Sequence, residues 1–88
     1  LHKRMEMTLV VPQGLVKFVF SENKNKPFKE VLIGSEKNLY KVLTIPSNIW
    51  FGFKGYSKPT SIICNLSNII HDTKEVVSCE LDEIPYIW

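Results

Sequence analysis

A chain of 88 residues buries only about 60–65% of the surface that its extended form exposes, so residues 1–88 read as one small domain that a partner chain would help. Its formal charge is +2, and all but one of its eleven basic residues are Lys. The Arg-rich stripe that grips phosphates bidentately is therefore missing, which argues against nucleic-acid binding. No apolar run approaches the roughly 20 residues of a membrane-spanning helix.

The chain contains no Ala, and its apolar residues are Ile, Leu, Val, Phe and Trp, which suit the pleated surface of a sheet. An all-β fold with little helix is expected. Met5, Met7, Leu9 and Val11 are apolar while Glu6 and Thr8 between them are polar, a period-2 alternation that predicts a strand with one buried face. Pro12-Gln13-Gly14 predicts a tight turn, and Leu15–Phe20 a second strand with Val16, Phe18 and Phe20 on one side and Lys17 on the other. The two strands are expected to form a hairpin. Ser21–Pro27 reads as a solvated loop, Phe28–Ile33 as a third strand, Gly34–Lys37 as a turn and Leu39–Ile45 as a fourth strand. Pro46-Ser47-Asn48 turns the chain into an aromatic strand, Ile49–Phe53. Ser61–Leu66 is a continuous apolar run of strand length, and Val76–Leu81 a shorter alternating strand. Short strands separated by turn signals predict a β-sandwich or barrel.

Cys64 and Cys79 lie in apolar, strand-like contexts without Cys-x-x-Cys spacing, and read as two buried thiols of a cytoplasmic protein. Metal binding by imidazole needs several His converging in one cavity. Only His2 and His71 are present, and His71 falls in a polar loop, so no metal site is expected. The start at Leu1, with no apolar segment ending in a small-residue cleavage site, reads as an N-terminal truncation and not as an export signal.

The segment Ile45-Pro46-Ser47-Asn48-Ile49-Trp50-Phe51-Gly52-Phe53-Lys54, closed far downstream by Ile84-Pro85-Tyr86-Ile87-Trp88, resembles the second half of a cupin jelly roll. More narrowly, it is similar to the dTDP-4-dehydrorhamnose 3,5-epimerase family of sugar epimerases and isomerases. The resemblance implies a homodimeric, cofactor-free enzyme that acts on a nucleotide sugar through an enolate. Short members of the family read Trp-His-x-His-Lys near the start. Their first His, which resembles the general base, would fall one residue before Leu1, and His2 matches the second, which faces the mouth of the pocket. His2 is thus the candidate catalytic residue within this chain, since an imidazole suits proton abstraction near neutral pH.

Three further positions implied by the resemblance depart from the catalytic pattern. The substrate-binding Lys falls at Met7, the His of the aromatic strand at Phe51, and the Tyr used as general acid near Cys64. Arg4, Met7, Phe51 and Cys64 are the candidate pocket-lining, substrate-binding residues. Strand parity, read independently of the family, also puts Met7, Phe51 and Cys64 on inward faces, beside Leu9, Phe53 and Ile62. An enolate needs a base and a donor or cation to hold its charge, and neither donor nor cation is visible at these positions. Two other readings follow: a non-catalytic cupin-like module for sugar binding or dimerisation, and a small β-sandwich interaction domain unrelated to the family.

Overall fold

A computed structural model describes residues 1–56, 60–69, 72–80, 83, 84 and 86 of the chain. Its strands are β1 (Met7–Gln13), β2 (Leu15–Ser21), β3 (Lys29–Gly34), β4 (Leu43–Ile45), β5 (Trp50–Gly55) and β6 (Ile62–Ser67), followed by a 3₁₀ turn at Thr73–Glu75. They form two antiparallel three-stranded sheets, ordered β4-β1-β6 and β3-β2-β5. The protein is all-β, a small sandwich, and among the described residues no helix is long and apolar enough to cross a membrane.

The alternation read in β1 sets the core. Met5, Met7, Leu9 and Val11 are all buried, and they pack against Val16 and Phe18 of β2, Ile33 of β3 and Ile45 of β4. Burying the inner faces of both sheets against each other is what the sandwich does for chains whose strands are apolar on one side.

The expected β1–β2 hairpin does not form. β1 pairs with β4 and β6, while β2 pairs with β3 and β5, so the chain leaves one sheet at Gln13 and enters the other at Leu15. β1 and β2 carry the two strongest apolar stripes, and pairing them in one sheet would leave those stripes without a facing layer. The corner is Gly14, whose φ of 95° lies in the left-handed region. Its carbonyl accepts a hydrogen bond from the Ser35 amide at 3.0 Å. Gly14→Ala is expected to cost about 1–2 kcal/mol, read as a lower urea midpoint at an unchanged slope. An unchanged midpoint would mean that the corner relaxes to negative φ.

Two other elements are shorter than expected. The fourth strand covers only Leu43–Ile45, because Leu39 is used in a turn, its carbonyl accepting from the Gly34 amide. No strand forms over the described part of 76–81. Instead a single bridge joins Val76 to His2, and the Val77 amide bonds to the Leu1 carbonyl at 2.8 Å. Leu81 lies outside the described residues, as do His71 and the Pro85, Ile87 and Trp88 of the C-terminal motif.

Tyr86, the described aromatic of that motif, is fastened to the outer face of the β3-β2-β5 sheet. Its hydroxyl donates to Glu30, and the Lys17 ammonium lies 5.0 Å from its ring centre and 5.5 Å from that of Tyr56. Hydrogen bonds with the Tyr56 and Tyr86 hydroxyls raise the Lys17 pKa above its ordinary value, against the opposing effect of desolvation.

Candidate functional site

Three segments meet at one end of the sandwich. The turn between β4 and β5 has Asn48 at φ 65°, a left-handed conformation that Asn tolerates, and its amide donates to the His2 carbonyl at 2.7 Å. On the other side of the N-terminal segment, the Lys3 amide donates to the Glu75 carbonyl. Residues 1–3 are thereby held as a short extended piece between the 46–49 turn and the 75–77 segment.

Glu75 is the centre of this arrangement. It closes a 3₁₀ turn capped by Asp72, whose side chain accepts from the Lys74 amide at 2.9 Å, and it is the one buried charged residue among the described residues, 1% exposed. One carboxylate oxygen accepts from the Arg4 and Met5 amides at 3.0 and 3.2 Å, while the other receives the His2 ring through Nδ1. Desolvation pushes the Glu75 pKa up, but the hydrogen bonds from Arg4, His2 and Met5 outweigh it and hold the carboxyl down at about 2. Glu75 is therefore ionised at neutral pH and can only accept, so the shared proton belongs to Nδ1 of His2. In the neutral ring this places the lone pair on Nε2.

The His2 ring stacks on Phe51 with centroids 5.9 Å apart and planes 16° apart. Beside them is a cavity of about 210 Å³ lined by Trp50, Phe51, Gly52, Val76 and Cys79 among others. A larger groove of about 480 Å³ opens between the 21–29 loop and β4, with Phe20, Leu43, Ile45 and Ile49 as its apolar lining and Lys26 and Lys29 among its polar residues. Phe20 and Phe51 are opposed across β2 and β5, so the two cavities are one residue pair apart.

The sequence-predicted site residues divide. His2 and Phe51 come together, although Phe51 is half-buried and stacked on the imidazole instead of lying deep between the sheets. Met7 is buried in the core, 3% exposed, and does not line the cavity beside His2. Arg4 contributes its backbone amide, whereas its guanidinium points away to Asp72 at 3.3 Å on the surface.

Cys64 is exposed on the outer face, a correction to its inward assignment and to the expectation of a buried thiol; Cys79 is half-buried and neither cysteine is in a disulfide. The reason is register. Cys64 lies opposite Val10, on the face of β1 turned away from the core, while Ile63 packs inward; a break in pairing between Val10 and Gln13 leaves Ile62 exposed as well. Phe53 shares the inner face with its partner Phe18, 6.0 Å away, yet is 55% exposed because β5 is an edge strand. Glu75 was not legible as a site residue. A single Glu among Asp72, Thr73 and Lys74 has the pattern of a solvated loop, and only the pairing of 75–77 with residues 1–3 buries it.

Among the described residues no group of three or more His, Cys, Asp and Glu is gathered as metal ligands would be. No protein-family model, no curated protein and no solved structure matches the chain.

Proposed function

We propose that this chain is a cupin-type sandwich of the nucleotide-sugar 3,5-epimerase kind, serving deoxysugar or surface-polysaccharide synthesis, with His2 as its base. The observation that carries the reading is the pairing of His2 with the buried Glu75 carboxylate. A ring whose Nδ1–H is held in this way has one tautomer and one orientation, the arrangement that proton-abstracting histidines use. Its Nε2 would take the proton from the carbon beside the ketone of a 4-keto sugar, the C–H electron pair moving onto the carbonyl oxygen as an enolate. A proton taken from water on the opposite face of that carbon inverts it, His2 releasing the abstracted proton to solvent, and no cofactor enters the balance.

The 210 Å³ cavity lies below the roughly 300–1,000 Å³ of ordinary ligand pockets, so it suits part of a sugar ring. The neighbouring groove, with Lys26 and Lys29, is within that range and would take the nucleotide portion. Met7 and Cys64 supply no donor to the enolate. Without an electrostatic stabiliser the reaction is expected to run about 10²–10³-fold below that of a site that has one.

Solvent deuterium exchange at C3 and C5 of a deoxythymidine-diphosphate-4-keto sugar, followed by NMR, tests this. Slow exchange by the parent chain is expected, with a further loss of about 10²–10⁴-fold, down to background, in His2→Asn. Exchange that survives His2→Asn would remove His2 as the base, and no exchange by the parent chain would remove the enzymatic reading. A second reading is favoured by the apolar core formed by Met7, Leu9, Val16, Phe18, Ile33 and Ile45, side chains that supply neither acid, base nor enolate stabiliser. On that reading the chain is a non-catalytic sugar-binding module, and nucleotide-sugar binding would perturb the Trp50 and His2 resonances without any exchange.

A further inference from the structure

The outer face of the β3-β2-β5 sheet is covered by a piece of chain that is neither strand nor α-helix. Val19 shows the cover. Phe18 points into the core between the sheets, so Val19 stands on the other face of β2, outside that core, and yet it is only 1% exposed. Its partner on β5 is Gly52, which brings no side chain. Both residues line the 210 Å³ cavity beside His2, and Val76, Val77, Cys79 and Ile84 complete its wall.

Among the described residues of 76–86, the fastenings lie at the two ends. At 75–77 the backbone pairs with residues 1–3, through the Lys3 amide on the Glu75 carbonyl, the Val77 amide on the Leu1 carbonyl and the bridge of His2 to Val76. At 86 the fastening is by side chain. The Tyr86 hydroxyl donates to Glu30, its ring lies 5.0 Å from the Lys17 ammonium, and that ammonium is 3.9 Å from the Glu30 carboxylate. Between the ends the hydrogen bonds stay within the segment, the Glu83 amide donating to the Glu80 carbonyl and the Glu83 carboxylate accepting from the Glu80 amide at 2.8 Å. A segment with so few backbone bonds to the rest of the fold, lying over a cavity, opens at a free energy well below that of global unfolding.

We infer that 76–86 is a hinged lid over the His2 cavity, with 75–77 as its hinge and Tyr86, held by Lys17 and Glu30, as its latch. The two ends differ in what their release would disturb. The hinge is built on the buried Glu75, whose carboxylate also holds the Arg4 and Met5 amides and the His2 ring, so it cannot let go without freeing the lead-in to β1. The latch is a contact between side chains on the exposed Glu30, and its loss leaves the pairing of β2 with β3 and β5 untouched. Release at 86 therefore swings Ile84 and Cys79 away from Val19 and Gly52 while residues 1–5 stay in place. The closed cavity is smaller than ordinary ligand pockets, and lifting this wall is what admits a ligand to His2. In the sugar reading the lid controls access to the candidate base, but the lid itself does not rest on that reading.

Cys79 is a reporter built into the lid, and the exposed Cys64 is the control thiol in the same molecule. Alkylation by iodoacetamide is followed at each cysteine by mass spectrometry. Cys79 is expected to react more slowly than Cys64 in the parent chain. Tyr86→Phe, which removes the hydroxyl bonded to Glu30, should speed Cys79 by about 10-fold and leave Cys64 unchanged, and Glu30→Gln should act in the same direction. In both variants the Arg4 and Met5 amides should keep their protection against hydrogen exchange, which separates lid opening from unfolding. Cys79 reacting as fast as Cys64 in the parent overturns the lid, and so does a Cys79 rate that neither substitution changes. Loss of Arg4 and Met5 protection together with that of Cys79 overturns the hinge. No sugar enters the measurement, so its outcome is independent of the deuterium-exchange assay.

Discussion

Phe18→Ala is expected to lower stability by about 3–5 kcal/mol, the largest loss for any single apolar truncation in this chain. Phe18 is completely buried and sits in β2, the central strand of its sheet, facing β1 across the core. Removing its ring leaves a cavity that the flanking β3 and β5 cannot fill without giving up their pairing with β2. Against a total of about 4–13 kcal/mol for 88 residues, the loss removes from about a quarter to all of the stability. Phe53→Ala is the comparison: its ring touches Phe18 but is 55% exposed, so about 0.5–1.5 kcal/mol of ring contact is lost. Urea unfolding of the two variants measures both. Equal midpoint shifts would mean that the sheet edge at β5 is as well covered as its centre.

The second large effect is expected at Glu75. Its folded-state pKa, about 2, lies below its ordinary value of 4.5, so its contribution to stability is fully present above pH 4.5 and is lost as pH falls towards 2. Unfolding followed from pH 6 to pH 2 should therefore show a steep acid limb in the parent chain. Glu75→Gln should flatten that limb and lower the melting temperature at neutral pH, because an amide offers one oxygen where two were in use and turns a donor towards partners that donate. The Arg4 and Met5 amides should lose their protection against hydrogen exchange in the same variant. Parallel pH profiles for parent and variant would refute the assignment of Glu75 as the group that holds the N-terminal segment.

Glu75 orients His2 and at the same time satisfies the backbone of residues 4 and 5, which lead directly into β1. A single buried carboxylate therefore couples the orientation of the candidate base to the docking of the first strand. The coupling predicts that Glu75 substitutions reduce both stability and any His2-dependent exchange, and that His2 substitutions, which take the partner from one oxygen of the buried carboxylate, cost stability as well as exchange.

The β character of the chain and the inner face of β1 were legible from residue order, because a strand with one buried side writes its orientation as period-2 alternation and Met5, Met7, Leu9 and Val11 obey it. The turns at Gly14 and at Pro46-Ser47-Asn48 were equally local, being set by which residues accept left-handed backbone. Strand partners were not local. Whether β1 pairs with β2 or faces it depends on which layer buries both stripes, an energy that exists only once all six strands are assembled. Parity within β6 put Cys64 inward, and the register that sets Cys64 against Val10 turned it outward, because which of the two faces of a strand is buried depends on its partner. Glu75 is the sharpest case. Nothing in Asp72-Thr73-Lys74-Glu75 marks one carboxylate for burial, and it is the antiparallel return of residues 75–77 along residues 1–3, seventy positions away, that removes it from water and gives it His2, Arg4 and Met5 as partners.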